Sequence, residues 1–349
     1  MSVQPAAAPF WRVLTDDDVE RLIDPELARQ AARTALMASA DGSLSGPPRL
    51  TGGVGEATLT FTVGGFTDGA GGFRVSGRWP GSAERTEQAE RTEQLVVVWS
   101  PEGRLRGVVI GDRLGAYRTG GLGGVAVDAL ADPAADTLAV IGTGRMAWSQ
   151  LWATAGVRPF HDIRVYSTNP ERRQAFADRA TSATGIKCRP VASAREAVTD
   201  AGVVLVSTTA RNPVIFADWL APGCHVNSTG PKEGGAAELD PAIASRARIV
   251  VTDSPTQLAA ATPPWFSARP AGHLGAVLIG ALQAGEPADG WSLYCSVGLA
   301  GSEVALADLL LARHRDSAGE AAGEKAGEAG EAVGETAGEA VGDAAGKAN

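Results

Sequence analysis

Leu138-Ala139-Val140-Ile141 runs directly into Gly142-Thr143-Gly144-Arg145-Met146-Ala147, and this stretch decides the fold. A strand-length apolar run is followed by the pattern GxGxxA and then by a helix-forming segment. That is the order of strand, phosphate-binding turn and helix in a dinucleotide-binding unit. Each small residue has a task there. Gly142 permits the tight turn, Gly144 lets the backbone approach a pyrophosphate, and Ala147 allows close packing of helix on sheet. The helix N-terminus offers its free N–H groups to the phosphates. Gly142, Thr143, Gly144, Arg145, Met146 and Ala147 are therefore the expected core of a cofactor site.

Downstream, apolar runs at Ile163–Tyr166, Cys188–Val191, Val203–Ser207, His225–Asn227 and Ile249–Val251 alternate with helical segments at Glu171–Arg179, Ala194–Val198 and Pro241–Ser245. Strands alternating with helices imply right-handed crossovers and a parallel sheet. After the second strand the chain reads Tyr166-Ser167-Thr168-Asn169-Pro170-Glu171-Arg172-Arg173. An NAD site usually has Asp or Glu at that strand end, on the ribose 2′-hydroxyl. Ser167, Thr168, Asn169 and Arg172 suit a 2′-phosphate better, so NADPH is the expected cofactor, with NADH the other candidate. Ser207 and Thr208 close another strand, and Ser228 follows the next; all three are expected to contact the cofactor.

Upstream the pattern differs. Thr15-Asp16-Asp17-Asp18 reads as a capped helix start, followed by Val19, Leu22 and Ile23 at helical spacing. Asp24-Pro25 breaks that helix, and a second spans Glu26–Ala38. Short β-type runs follow at Thr58–Val63, Phe73–Val75, Leu95–Trp99 and Leu105–Ile110, as in an antiparallel or mixed sheet. The duplicated ERTEQ at 84–88 and 90–94 reads as a lengthened surface loop, and a last helix runs from Ser302 to Arg313.

The 349 residues carry 31 Lys+Arg against 40 Asp+Glu, a net −9, with a 44% hydrophobic share able to form a core. The stretch Ser317–Asn349 is almost wholly Ala, Gly and Glu; its seven acids and two lysines account for −5. Glycine every three or four residues opposes helix there, so this tail is expected to be disordered. The rest is only mildly acidic and shows no basic stripe, which argues against nucleic acid. No apolar run approaches a membrane span, and the N-terminus lacks a signal-peptide pattern. Cys188, Cys224 and Cys295 are odd in number and far apart, which reads as reduced thiols in the cytoplasm. His161, His225, His273 and His314 show no metal-ligand spacing, so no metal is expected.

The chain resembles the ornithine cyclodeaminase/mu-crystallin family from about Val13 to Arg313. The resemblance rests on VLTDDDVERLID at 13–24, PPR at 47–49, YRTGGLGGVAVDAL at 117–130 and AVIGTGRMA at 139–147. It continues in PGCHVNSTGP at 222–231, ELD at 238–240, VVTDS at 250–254 and SVGLA at 296–300. It implies an α/β fold: a Rossmann-type parallel-sheet domain, expected at 124–294, plus a smaller α+β substrate and dimerisation domain. The smaller domain would comprise 1–123 completed by 295–316, with 317–349 as the tail. The resemblance also implies a homodimer and chemistry at a carbon bearing nitrogen, through an imine and nicotinamide hydride. Arg118 and Arg49 match the positions that hold a substrate carboxylate, and Arg74 lies near the place of an active-site lysine. Ser296 and Val297 match a loop beside the nicotinamide, Ser296 toward the cofactor and Val297 toward the substrate.

The main departure follows Gly230. Cyclodeaminases carry an Asp for the distal amine of their substrate; counting back from Glu238, that position holds Lys232, with Glu233 beside it. A lysine repels a cationic side chain where an aspartate attracts it. Lys232 joins Arg118 as a candidate catalytic residue, either donating a proton to an imine nitrogen or attracting an anionic or neutral side chain. The reading is an NADPH-dependent imine reductase or amino-acid dehydrogenase acting on a small amino acid, imino acid or cyclic ketimine acid. Alternatives are a redox-neutral amino-acid cyclodeaminase with tightly bound NAD and a mu-crystallin-like NADPH- and ligand-binding protein.

Overall fold

A computed structural model describes residues 11–79, 94–233, 235–260 and 271–317. The acidic tail beyond 317 and nearly all of the ERTEQ duplication, expected as a disordered segment and a surface loop, lie outside the described residues.

The strand at Thr137–Ile141 is fully buried and sits inside an eight-stranded, all-parallel sheet. In spatial order the sheet runs Cys188–Pro190, Asp162–Tyr166, Thr137–Ile141, Val203–Val206, His225–Ser228, Ser292–Cys295, Ile249–Thr252, Gly272–His273. The chain leaves Thr137–Ile141 toward one edge and returns on its other side at Val203–Val206. This is the switch point at which open α/β sheets bind ligands, just beyond the strand ends. Six of the eight strands match expected runs. Ser292–Cys295 and the edge strand Gly272–His273 were not anticipated.

The second sheet has seven strands: Arg12–Leu14, Leu105–Gly111, Gln94–Trp99, Gly71–Arg78, Ala57–Phe66 and Leu44–Ser45 in path order, with Leu50–Val54 also on Ala57–Phe66. It is mixed, because Arg12–Leu14 pairs parallel with Leu105–Gly111 while the other pairings are antiparallel. Leu14, Val96, Val98 and Val109 on its inner side meet Val19, Leu22 and Leu27. Thr15 caps the helix Asp16–Leu22 through a full capping box, as its sequence indicates. The helix over 302–317 returns to the same core through Val304, Leu306, Ala307, Leu310 and Leu311.

Helix Arg113–Leu130 joins the two sheets, and it is buried along nearly its whole length. Four glycines make that placement feasible. A Cβ at Gly120 would collide with the Ser149 backbone, at Gly121 with the Ala28 carbonyl, and at Gly123 with the Gln150 side chain. At Gly124 a Cβ would come within 2.8 Å of the Ala153 carbonyl oxygen. The expected domain boundary at 123/124 thus falls inside one continuous helix. Leu36, Leu44, Leu122, Val251, Tyr294, Leu299 and Ala305 belong to one apolar cluster drawn from both sheets and this helix. Among the described residues no helix is long and apolar enough to cross a membrane.

Candidate active site

At the end of Thr137–Ile141 the chain turns through Gly142 at φ +110°, where a Cβ would strike the Ser207 carbonyl. Gly144 then caps the helix Arg145–Thr154 without any side-chain hydrogen bond, and a Cβ on it would meet nothing within 4 Å. An open glycine cradle in front of a helix start with no side-chain cap is what a pyrophosphate requires, so these residues fit a dinucleotide. Ala147 is fully buried, as close packing demands. Arg145 forms an ion pair with the buried Asp112, next to helix Arg113–Leu130.

Beside this turn, the second strand ends without a carboxylate. Asn169 caps helix Pro170–Thr184 by accepting from the Arg172 amide, and the Ser167 hydroxyl donates to the Asn169 carbonyl. Thr168, Asn169 and Arg172 are exposed. Arg173 instead folds back, donating to the Ser167 carbonyl and lying over the Tyr166 ring.

The other hydroxyls assigned to the cofactor turn toward protein groups. Glu238, fully buried, accepts from the Thr208 amide and hydroxyl, the Ser228 hydroxyl and the Gly230 amide at 2.6–2.9 Å. It ties the ends of two adjacent strands together. Ser207 accepts from Thr229 at 2.8 Å. Ser296 donates to Asp253, a second fully buried carboxylate that also takes the Tyr294 hydroxyl and the Val297 and Gly298 amides. Burying a carboxylate demands such a set of donors, and these hydroxyls and amides provide it.

The loop held by Asp253 faces the arginines. Arg118 and Arg74 both donate to one oxygen of Glu303, Arg74 at 2.8 Å, and Arg74 also reaches the Thr62 hydroxyl at 3.5 Å. Arg49 donates to the Val297 and Gly298 carbonyls at 3.2 and 3.4 Å. Gly298, at φ +88°, lies between two guanidiniums; a Cβ there would be 2.7 Å from Arg49 Nη2 and 3.4 Å from Arg118 Nη1. The structure therefore brings Arg49, Arg74, Arg118 and Val297 together. The Nε of each arginine is buried without a hydrogen-bond partner among the described residues. Burial and mutual repulsion lower the pKa of Arg49; in Arg74, burial and Arg118 outweigh the opposing pull of Glu303. Burial pushes the Glu303 carboxyl up, but Arg118, Arg74 and Arg49 outweigh it and hold the pKa below its usual range.

Lys232 is buried at 6% exposure, and its Nζ donates to the Gly230 carbonyl at 2.7 Å. The Glu233 side chain lies outside the described residues. Asp253, Glu238 and Glu303 were missed as functional residues. Glu303 had left a readable trace, since it shares one helical face with Leu306, Ala307 and Leu310, where an acid is out of place unless paired. Cys188, Cys224 and Cys295 are all free and buried, and burial pushes each thiol up to about 12. Among the described residues no group of three or more His, Cys, Asp or Glu is placed to hold a metal.

Residues 12–318 match the ornithine cyclodeaminase/mu-crystallin family. The mouse ketimine reductase mu-crystallin is 29% identical over 157 residues, which span 45% of this chain and 49% of that protein. The chain thus aligns with about half the length of that relative. Iminosuccinate reductase of Paracoccus denitrificans is 27% identical over 323 residues, 88% of this chain and 98% of that one. Among solved structures, Thermococcus litoralis Δ1-pyrroline-2-carboxylate reductase in complex with NADH and L-proline superposes with a TM-score of 0.76. It is 25% identical and covers 88% of this chain and 98% of its own. An archaeal alanine dehydrogenase dimer with bound NAD gives 0.79 at 25% identity, covering 88% of this chain and 97% of its own.

Proposed function

The chain belongs to the ornithine cyclodeaminase/mu-crystallin family, and from that premise we propose that it is an NAD(P)H-dependent oxidoreductase acting at the α-carbon of an imino or amino acid. The observation that carries this reading is the arginine cluster, whose buried Nε groups all lack a partner among the described residues, set against the loop that follows a strand of the dinucleotide sheet. A planar carboxylate is the group that several convergent guanidinium N–H donors fit.

Arg118 and Arg49 would hold the substrate carboxylate and so fix the adjacent carbon. Glu303 keeps Arg118 and Arg74 in place and offsets part of their repulsion. Gly142, Thr143, Gly144, Arg145, Met146 and Ala147 would hold the pyrophosphate; a reduced nicotinamide cofactor bound there supplies a hydride. The absence of a carboxylate at the end of Asp162–Tyr166, with Ser167, Thr168, Asn169 and Arg172 in its place, supports NADPH over NADH. Ser207, Thr208, Ser228 and Ser296 would meet the cofactor through their backbone, since their hydroxyls serve the buried framework.

The test is turnover. The purified protein should oxidise NADPH, and NADH less efficiently, with at least one member of a panel of cyclic ketimine acids and 2-oxo acid/ammonia mixtures. NADPH binding without oxidation on any of them would leave only the binding-protein reading. Ammonia release from ornithine or lysine without net redox change would favour the cyclodeaminase, against which the buried Lys232 counts.

We assign 1–123 with 295–316 to substrate binding and dimerisation, and 124–294 to the dinucleotide. The outer face of the mixed sheet supports the homodimer: Leu50, Phe61, Val75, Leu95 and Ile110 align across five strands, with Val63, Phe73, Val97, Val108 and Val13 beside them. Phe61, Val63, Ile110 and Val13 are exposed, making an apolar patch of the kind that marks an interface. Sedimentation of wild type and Phe61→Glu tests this, the variant being expected to run as a monomer. The free cysteines support a reducing compartment, the cytoplasm.

A further inference from the structure

We propose that the substrate carries a second carboxylate and that Lys232 receives it, so that the site acts on an imino dicarboxylate with its nitrogen protonated. This rests on the reductase reading and narrows it.

Lys232 is the unexplained cation of the site. Its ammonium has three donors, of which one is used among the described residues, on the Gly230 carbonyl. Among the described residues no carboxylate lies within ion-pair distance of it. A buried charge without a counter-charge is strongly unfavourable, so a fold that keeps one at a ligand site points to an anion that arrives with the ligand. The position is held firmly: Gly230, which takes the Lys232 proton donor on its carbonyl, gives its amide to Glu238. Lys232 also lies beyond the same end of the parallel sheet as the loop that meets the arginines. The strands that lead to them are neighbours and end together: Ser228, four residues before Lys232, pairs with Cys295, and the Ser296 amide of the loop that anchors Arg49 donates to the Ser228 carbonyl.

Charge balance gives the substrate class. Arg49, Arg74, Arg118 and Lys232 are four cations, and Glu303, Asp253 and Glu238 are three buried carboxylates. Among these described groups one positive charge is left over. A protonated imino monocarboxylate is neutral overall and leaves that charge standing. A protonated imino dicarboxylate carries −1 and closes the balance. One carboxylate would meet Arg118 and Arg49, the other Lys232.

In the step itself, hydride from a reduced nicotinamide forms the new C–H bond at the iminium carbon. The C=N π pair becomes the nitrogen lone pair, and the nicotinamide is oxidised. The amine then takes a proton from water to leave as an ammonium. No proton is asked of Lys232 in this scheme.

The experiment measures kcat/KM in both directions with the full chain. Oxaloacetate and 2-oxoglutarate are compared with pyruvate and 2-oxobutyrate in ammonium buffer. Aspartate and glutamate are compared with asparagine and glutamine, and Δ1-pyrroline-2-carboxylate serves as the cyclic monocarboxylate. The dicarboxylates should lead their neutral isosteres by about 100-fold. Lys232→Met, checked for folding by its urea midpoint, should collapse that ratio chiefly through KM. Monocarboxylates or the cyclic ketimine turning over as well as the dicarboxylates would overturn the proposal and leave the reductase reading intact. So would Lys232→Met lowering both series equally with loss of a limb in the pH–rate profile, since that is the mark of a proton donor. Absence of turnover on every compound would remove the reductase reading and this proposal with it.

Discussion

Replacing Asp253 by Asn tests whether a buried carboxylate holds the Ser296–Gly298 loop against Arg49. Asp253 accepts from the Tyr294 and Ser296 hydroxyls at 3.0 Å each, from the Val297 amide at 2.9 Å, and from the Gly298 amide at 3.0 and 3.2 Å. An amide of the same shape can still accept from the two backbone N–H groups through its oxygen, and its NH₂ can donate to the two hydroxyls. What disappears is the charge assistance. A hydrogen bond to an ionised group contributes roughly 1 kcal/mol more than a neutral one, so four of them lose about 4 kcal/mol. Relief from burying the charge returns part of this, and the net loss should be about 2–3 kcal/mol. Asp253→Ala removes every acceptor, strands these four donors and the Thr252 hydroxyl, and should lose more than 4 kcal/mol.

The assay is denaturant unfolding of wild type and both variants, followed by KM for a carboxylate substrate. The Val297 and Gly298 carbonyls orient Arg49, so loosening their loop should raise KM about tenfold in the Asn variant. An Asn variant within 0.5 kcal/mol of wild type, about the scatter of a neutral surface change, with unaltered KM would refute the argument that charge at 253 organises the loop.

Three other outcomes follow from geometry. Gly144→Ala should leave the thermal midpoint of the cofactor-free protein unchanged, because φ is −83° and a Cβ meets nothing within 4 Å. The same methyl group should weaken NADPH binding at least ~10-fold by titration, since it enters the space the pyrophosphate needs. Gly120→Ala gains ~1 kcal/mol of helix propensity, yet its Cβ collides with the Ser149 backbone, so calorimetry should show a net loss of about 1–3 kcal/mol. His225 is fully buried between Ser292 and Asn227, and burial drives its pKa from 6.5 down to about 3. The native state excludes the proton that the unfolded chain accepts, so this contribution is complete above pH 6.5 and is lost as pH falls toward 3. At about 1.4 kcal/mol per unit, acidification to pH 5 should remove about 2 kcal/mol, and His225→Gln should flatten that part of the stability–pH curve.

The turn at Gly142 could be read from sequence because its signal is local: apolar strand, glycine turn and helix lie within a few residues. Helix Arg113–Leu130 could not, because glycines at 120, 121, 123 and 124 argue against a helix by propensity. Their reason lies in backbone and side-chain atoms of other segments, Ala28, Ser149, Gln150 and Ala153, that must come close. Ser292–Cys295 is short and only half apolar, and its place between His225–Ser228 and Ile249–Thr252 is set by pairings across more than forty residues. The arginines were found as residue types in motifs. The acids that position them were not, because a single Asp or Glu in a loop looks like a solvated one until its donors are known.

Glu303 explains how three guanidiniums stay together in a largely buried space, and why they are not compensated equally. Desolvation and mutual repulsion both oppose the cluster, as the lowered pKa values of Arg49 and Arg74 record. The single carboxylate is at ion-pair distance from Arg74 and Arg118, so it compensates those two most. Among the described residues Arg49 donates to carbonyl oxygens alone, whose partial charges offset much less of a full positive charge. The least compensated ground is therefore between Arg49 and the outward side of Arg118, against Gly298. Any side chain at 298 would occupy that ground, and glycine keeps it open at a φ of +88° that other residues seldom adopt. A carboxylate gains most where the protein has supplied the least counter-charge, which is the physical reason for proposing Arg49 and Arg118 as its holders and Arg74 as the partner that keeps Glu303 in position.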